Sequence, residues 1–314
     1  MDTVAVVLEK PERLTLRRLE LVPPSNDDDV VVDVEWTGIS AGTERLLWTG
    51  RMPSFPGMGY PLVPGYEAVG RVVQAGPLAE REVGQRVFVA GARCFGATRS
   101  LFGGAARRLV VPGARAIPFE ERLGEQGVLL ALAATAYHAA WGSGGEAPDL
   151  IVGHGALGRL LARLAVALGH PAPTVWERNP ERRNGAEGYP VLHPVEDPRR
   201  DYRNVYDVSG DASLLDDLVA RLAPRGEIVL AGFYSEPLFF QFAPAFLREA
   251  RLRVAAEWRP DDLDAVARLA NDGKLSLNGL ITHCREFSDA EQAYTTAFGD
   301  PSCVKMILDW RSAS

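Results

Sequence analysis

The chain has 314 residues, 46% of them apolar and 24% charged, enough to bury a large core without disulfides or a structural metal and enough for about two domains. Its 34 basic and 41 acidic side chains leave a net charge of −7, which excludes nucleic acid as the main partner, because neutralising phosphates needs a basic surface. Cys94, Cys284 and Cys303 are odd in number and far apart with no C-x-x-C, which excludes a disulfide framework and a zinc knuckle and fits a reducing compartment.

The opening MDTVAVVLEKP carries Asp2 and no basic stretch, so no signal peptide is expected there. Residues 4–8 (VAVVL) form a short apolar strand, and 30–36 (VVVDVEW) alternate as a half-buried strand does. Residues 68–74, 86–90 and 107–111 continue the series. Between them stand the turn signals Pro23-Pro24, 53–64, Gly76-Pro77 and Pro112-Gly113. Short strands with frequent turns predict a compact barrel or sandwich. The longest apolar run, 128–141, is too short to cross the ~30 Å of a bilayer core, so a cytoplasmic protein without an integral membrane segment is expected.

Near Pro148 the rhythm changes. Residues 149–152 read as a buried strand, 153–158 as a glycine turn, and 160–168 as a helix that stops at Gly169. Further strands fall at 174–177, 205–208 and 227–231, with a helix over 214–222 between the last two. Strand–helix alternation means crossover units and a parallel sheet. A helix over 261–270 follows. The ending is mixed: 280–283, a helix over 288–298 and a strand over 304–308.

The strongest local motif is Gly153-His154-Gly155-Ala156-Leu157-Gly158, a G-x-G-x-x-G between a predicted strand and a predicted helix. Gly153 permits the tight turn, Gly155 lets the backbone approach a diphosphate, and Gly158 lets the helix pack on the strand. The helix N-terminus then offers free N–H groups to the phosphates. His154 either touches a phosphate or faces solvent. Glu177 ends the next strand about 20 residues on, where an acid bonds the ribose hydroxyls of NAD and repels a 2′-phosphate. Arg178, Arg182 and Arg183 leave NADP open, since an arginine just after the acid can hold that phosphate. The strand ends 207–210, with Ser209, and 231–233, with Gly232 and Phe233, lie where ligands sit in such sheets.

With these pieces the layout resembles the medium-chain dehydrogenase/reductase superfamily. The blocks that carry the resemblance are 65–70 (GYEAVG), 84–87 (GQRV), 135–137 (TAY), 287–294 and 305–308 (KMIL). It implies an α/β architecture: a GroES-like β domain over 1–147, a Rossmann NAD-binding domain over 148–260, and a segment over 261–314 returning to the first. The stretches 38–44, 55–67 (FPGMGYPLVPGYE), 101–105, 129–136, 149–161 and 231–234 resemble, more narrowly, the branch of that superfamily that oxidises the 3-(1-hydroxyethyl) group of a chlorophyllide or bacteriochlorophyllide to 3-acetyl. This implies a tetrapyrrole substrate and NAD as hydride acceptor; the superfamily also implies a homodimer.

Measured against the zinc members of that superfamily, Ser40 stands where the first cysteine ligand would be, Tyr66 where the histidine would be, and the third position falls near Ala131. An open catalytic zinc needs three protein ligands, so no metal is expected. The substrate's proton then needs another acceptor. Tyr66, at a former ligand position, could reach the same spot or pack in the core. His138, following the TAY run that lies near the nicotinamide in the family, could relay a proton or be a hydrogen-bonded helix histidine. Glu67 orients the site or is structural, and Ser40, Thr43 and Glu44 could bond substrate or ribose. The segment 48–60, with Arg51, Phe55 and Met58, either forms a pocket wall whose arginine meets the propionate or packs on its own barrel. Two other functions use the same features: a zinc-independent quinone or enone reductase, and a pigment carrier that has lost catalysis.

Overall fold

A computed structural model describes residues 1–53, 58–142 and 144–312. In chain order its strands are β1 (Asp2–Lys10), β2 (Arg13–Glu20), β3 (Asp29–Ile39), β4 (Leu62–Pro64), β5 (Ala68–Ala75), β6 (Arg86–Val89), β7 (Arg99–Leu101), β8 (Arg108–Pro112), β9 (Ala116–Pro118), β10 (Leu150–Val152), β11 (Thr174–Trp176), β12 (Val191–Leu192), β13 (Tyr202–Asp207), β14 (Leu222–Leu230), β15 (Arg251–Val254), β16 (His283–Glu286) and β17 (Met306–Asp309). The α-helices are α1 (Thr43–Trp48), α2 (Leu130–Tyr137), α3 (Ala156–Ala167), α4 (Leu215–Arg221), α5 (Phe242–Leu247), α6 (Pro260–Asn271) and α7 (Ala290–Gly299). They divide into two compact units, 1–131 with 281–314, and 132–280. The expected bounds, 147/148 and 260/261, fall elsewhere: 132–147, with most of α2, and 261–280, with most of α6, belong to the second unit.

The first unit is β-rich. One sheet runs β2-β1-β4-β7; the other runs β16-β17-β3-β5-β6-β9, with β8 also on β3. β3 explains its own place: Val30, Val32 and Val34 are buried on one face, and β5 and β8 flank it antiparallel, so its backbone groups are satisfied on both sides. The late strand β17 pairs antiparallel with β3, Met306 opposite Ile39, which is how the last residues rejoin this unit. Leu8, Leu62, Leu109 and Trp310 lie in the core. Trp48, Met52, Met58 and Tyr60 pack against it, so the described part of 48–60 lies on its own barrel.

The second unit carries the parallel sheet β12-β11-β10-β13-β14-β15. Numbered along the chain, this is the 3-2-1-4-5-6 order of a dinucleotide-binding sheet, whose order reverses between β10 and β13. α3 buries Leu160, Leu161 and Leu164, at helical spacing. No helix of the described residues is long and apolar enough to cross a membrane.

Candidate active site

The chain leaves β10 through Gly153, whose φ of +107° favours glycine. A methyl group at Gly158 would lie 1.9 Å from the Gly153 carbonyl oxygen, so α3 reaches this close to the strand only with glycine there. Beside Gly155 a methyl group would meet nothing within 4 Å, so the turn is open at that point. Gly155 is the N-cap of α3 and supplies no side-chain acceptor, which leaves the first helical N–H groups for another partner.

A cavity of about 240 Å³ lies beside the turn, lined by Gly153, Gly155, Glu177, Arg178, Ser209 and Asp211 among others. Glu177 is half-buried and already fixed: Oε1 accepts the Asn179 N–H at 2.8 Å and Oε2 the His154 N–H at 3.2 Å. Arg178 is exposed and stands 3.5 Å from Asp211. An open glycine turn, free helical N–H groups and an oriented acid fit the diphosphate and ribose of a dinucleotide.

His154 does not face solvent. Its ring is fully buried, with Nδ1 2.6 Å from the Arg182 carbonyl and Nε2 2.9 Å from the Tyr189 hydroxyl. Burial above all, with Arg159 and Arg163 nearby, pushes its pKa down to about 4. The neutral ring therefore donates from Nδ1 and accepts at Nε2, and both nitrogens are spent within the protein. Leu157 is half-buried in the first turn of α3. Ser209 and Gly232 are gathered by Asp207 at the end of β13: Oδ1 accepts the Ser209 N–H and hydroxyl at 2.9 and 2.6 Å, Oδ2 accepts the Tyr234 hydroxyl at 2.8 Å, and the Asp207 carbonyl accepts the Gly232 N–H at 2.9 Å. Burial raises the Asp207 carboxyl. Phe233, next to Gly232, is 42% exposed.

His138 is also in the second unit. It opens a π-helical turn, 138–142, and its Nδ1 lies 2.7 Å from Asp262, both side chains buried. Asp262 also accepts the Arg259 N–H at 2.7 Å, so His138 is tied to the start of α6.

The first unit assembles the other candidates. β3 ends at Ile39, which delivers Ser40, and the segment before β5 delivers Tyr66 and Glu67. Ser40 Oγ lies 2.6 Å from the Tyr66 hydroxyl, and Tyr66 is half-buried with Phe102 edge-on at 5.3 Å. Burial, then the Glu67 carboxylate, drives the Tyr66 phenol well above its usual range; hydrogen bonds from Ser40 and Thr43 oppose this. Glu67 is fully buried and its two oxygens accept from Lys305 Nζ at 2.9 and 2.7 Å, while Lys305 also donates to the Ile39 carbonyl at 3.2 Å. Glu44, on α1, accepts the Ser40 N–H at 3.0 Å and the Tyr294 hydroxyl at 2.5 Å. Thr43 is half-buried, Arg51 exposed, and Met58 packs on the barrel; Phe55 lies outside the described residues. Among the described residues no three His, Cys, Asp or Glu come together as a metal site.

Glu44 titrates in a useful range. Burial, with the Glu67 charge adding to it, pushes its carboxyl from 4.5 up to about 7 against the hydrogen bonds from Tyr294 and Ser40 and the Lys305 charge. A proton held more tightly in the fold stabilises at low pH. That stability is full below 4.5 and is lost as pH rises to about 7. Glu44→Gln is expected to flatten this decline, read as Tm against pH. An equally steep fall in the variant would contradict the assignment.

Sequence reasoning did not pair Glu67 with Lys305 or Glu44 with Tyr294, and it passed over Asp207 as a side chain. A signal existed for Lys305, a cation set against an apolar strand, but nothing local named its partner.

The alcohol dehydrogenase GroES-like domain family matches residues 26–121. The chain is 56% identical over its whole length, and the whole of the relative's, to the 2-desacetyl-2-hydroxyethyl bacteriochlorophyllide A dehydrogenase of Cereibacter sphaeroides. It is 55% identical, again over all of both chains, to the protein of that name from Rhodobacter capsulatus. Among solved structures, 2R,3R-butanediol dehydrogenase from Bacillus subtilis matches with a TM-score of 0.83 at 21% identity, covering 98% of this chain and 99% of its own. An alcohol dehydrogenase of E. coli CFT073, solved with NADH, matches with a TM-score of 0.81 at 22% identity and the same coverage. Both solved structures share the fold. The chain belongs to the family of these bacteriochlorophyllide a dehydrogenases, within the medium-chain dehydrogenase/reductase superfamily.

Proposed function

We propose that this dehydrogenase oxidises the 3-(1-hydroxyethyl) side chain of a chlorophyllide or bacteriochlorophyllide to 3-acetyl, with NAD as hydride acceptor and no catalytic zinc. The observation that carries the reading is 56% identity over the full chain to a dehydrogenase named for the hydroxyethyl pigment. Bound NAD would supply the hydride acceptor. The residues of this chain that would hold it are the open turn at Gly155 and the free N–H groups of α3 for the diphosphate, and Glu177 for the ribose.

The proton is the task of the Ser40–Tyr66 pair, 2.6 Å apart where zinc relatives carry ligands. Burial keeps Tyr66 a phenol, so it does not act as a free phenolate. When hydride is lost from the substrate carbon, the substrate hydroxyl would pass its proton to the Tyr66 oxygen as Tyr66 gives its own to the Ser40 oxygen and Ser40 releases its own to solvent water. The product carbonyl is conjugated with the macrocycle, which stabilises it as it forms and lessens the need for a Lewis acid.

The coenzyme half is tested by steady-state kinetics with NAD and NADP. Glu177 would meet a 2′-phosphate with like charge, so kcat/KM should favour NAD by about tenfold or more, the effect of ~1.4 kcal/mol. Equal values, with Arg178 carrying the phosphate, would remove Glu177 from this role.

A further inference from the structure

Arg159, in the first turn of α3, is a cation where cations are rarely found. Its side chain is buried, only 4% of the residue being exposed. Nε donates to the His154 carbonyl at 3.0 Å and Nη2 to the Arg182 carbonyl at 2.9 Å. Among the described residues no carboxylate lies within ion-pair distance of it. Arg163, one turn on, is as buried but pairs with Glu187 at 2.8 Å. The surroundings are shaped to hold the Arg159 head: Gly185 closes over it so tightly that a methyl group there would lie 2.3 Å from Nη1.

No carboxylate of the described residues bonds this buried guanidinium, Glu177 acting on it only through space, and carbonyl dipoles repay only part of the cost of burying it. One of the two carbonyls it bonds belongs to His154, inside the glycine turn. On the same turn Gly155 is open and the α3 N–H groups have no side-chain acceptor. The charge therefore sits behind the stretch of backbone that would face two phosphates.

We propose that Arg159 is a buried counter-charge for the diphosphate of the bound dinucleotide: it touches no ligand, and it adds its positive field to that of the helix N-terminus through the glycine turn. The proposal rests on reading the cleft as a dinucleotide site. It makes Arg159 a positioning residue whose unpaired charge is completed by the ligand. The purely structural alternative is that Arg159 only ties the turn to the 182 segment, which lies beyond Glu177 in sequence.

The two separate on ligands of different charge. Binding of ADP-ribose and of adenosine to the full chain is measured by calorimetry and by ligand-detected NMR, with Arg159→Gln and Arg159→Lys beside the native protein. Gln keeps an N–H donor for the carbonyls and removes the charge. It should weaken ADP-ribose on the order of tenfold, in the range of partly buried charge–dipole effects, and leave adenosine unchanged. Lys keeps the charge and should retain most of the ADP-ribose affinity. An equal loss for both ligands, or no loss for either, would overturn the proposal. Should the Gln variant not fold, the Lys variant decides: retained ADP-ribose affinity supports the charge, and a loss shared with adenosine overturns it. Native protein that ignores ADP-ribose altogether would overturn the cofactor reading itself, and this proposal with it.

Discussion

Tyr66→Phe is expected to lower kcat for pigment oxidation by about 10²–10⁴-fold, the usual size of general acid–base help, with NAD affinity unchanged. The substitution removes one oxygen. The ring keeps its edge-on contact with Phe102, and Ser40 loses a partner at 2.6 Å. The groups assigned to the coenzyme's diphosphate and ribose are the Gly155 turn, the α3 N–H groups and Glu177, none of which bonds Tyr66, so coenzyme binding should not register the change. Ser40→Ala should lower kcat less, because Thr43 still serves the phenol. An unchanged kcat in Tyr66→Phe would take Tyr66 out of the proton path and leave it a packed aromatic.

Lys305→Met is expected to cost ~3–5 kcal/mol of stability, the penalty for leaving one partner of a buried pair alone. Glu67 is fully buried, and Lys305 Nζ is bonded to both of its oxygens. Burial already raises the Glu67 carboxyl above its usual range, and the Lys305 charge and hydrogen bond hold it back. Without them its ionised form is still less favourable in the fold. The variant should therefore lose stability as pH rises past the ordinary carboxylate range and recover on acidification. Thermal melts should show Tm lower by on the order of 10 °C at neutral pH. The double variant with Glu67→Gln removes both charges and should recover most of the loss, since uncharged groups need no counter-ion. A single variant as stable as the native chain would show that the pair carries little.

How much of this was legible depended on how local the signal is. The glycine turn and Glu177 are local: a strand, three glycines and an acid on the next strand are all readable within 25 or so residues, as the general pattern allows. Glu67–Lys305 and Glu44–Tyr294 are separated by 238 and 250 residues, and only the return of β17 and α7 to the first unit brings them together. His154 could be placed in the motif but not oriented, because its partners Arg182 and Tyr189 come from the segment after β11. Helix α2 (LALAATAY) hid in a run that is apolar all round, so it lacks the periodicity that marks an amphipathic helix. Strand β2 (RLTLRRLE) hid for the opposite reason: only Leu14 and Leu19 are buried, and its charged side chains break the alternation.

The most direct test is a single incubation. Metal-analysed protein is mixed with 3-(1-hydroxyethyl) bacteriochlorophyllide and NAD, and NADH and the 3-acetyl pigment are followed together. The account predicts one NADH for each acetyl group formed, at a rate that a chelator does not change, from protein whose zinc content is far below stoichiometric. Pigment binding without hydride transfer would contradict the dehydrogenase assignment, and turnover that rises and falls with bound zinc would contradict the Ser40–Tyr66 chemistry.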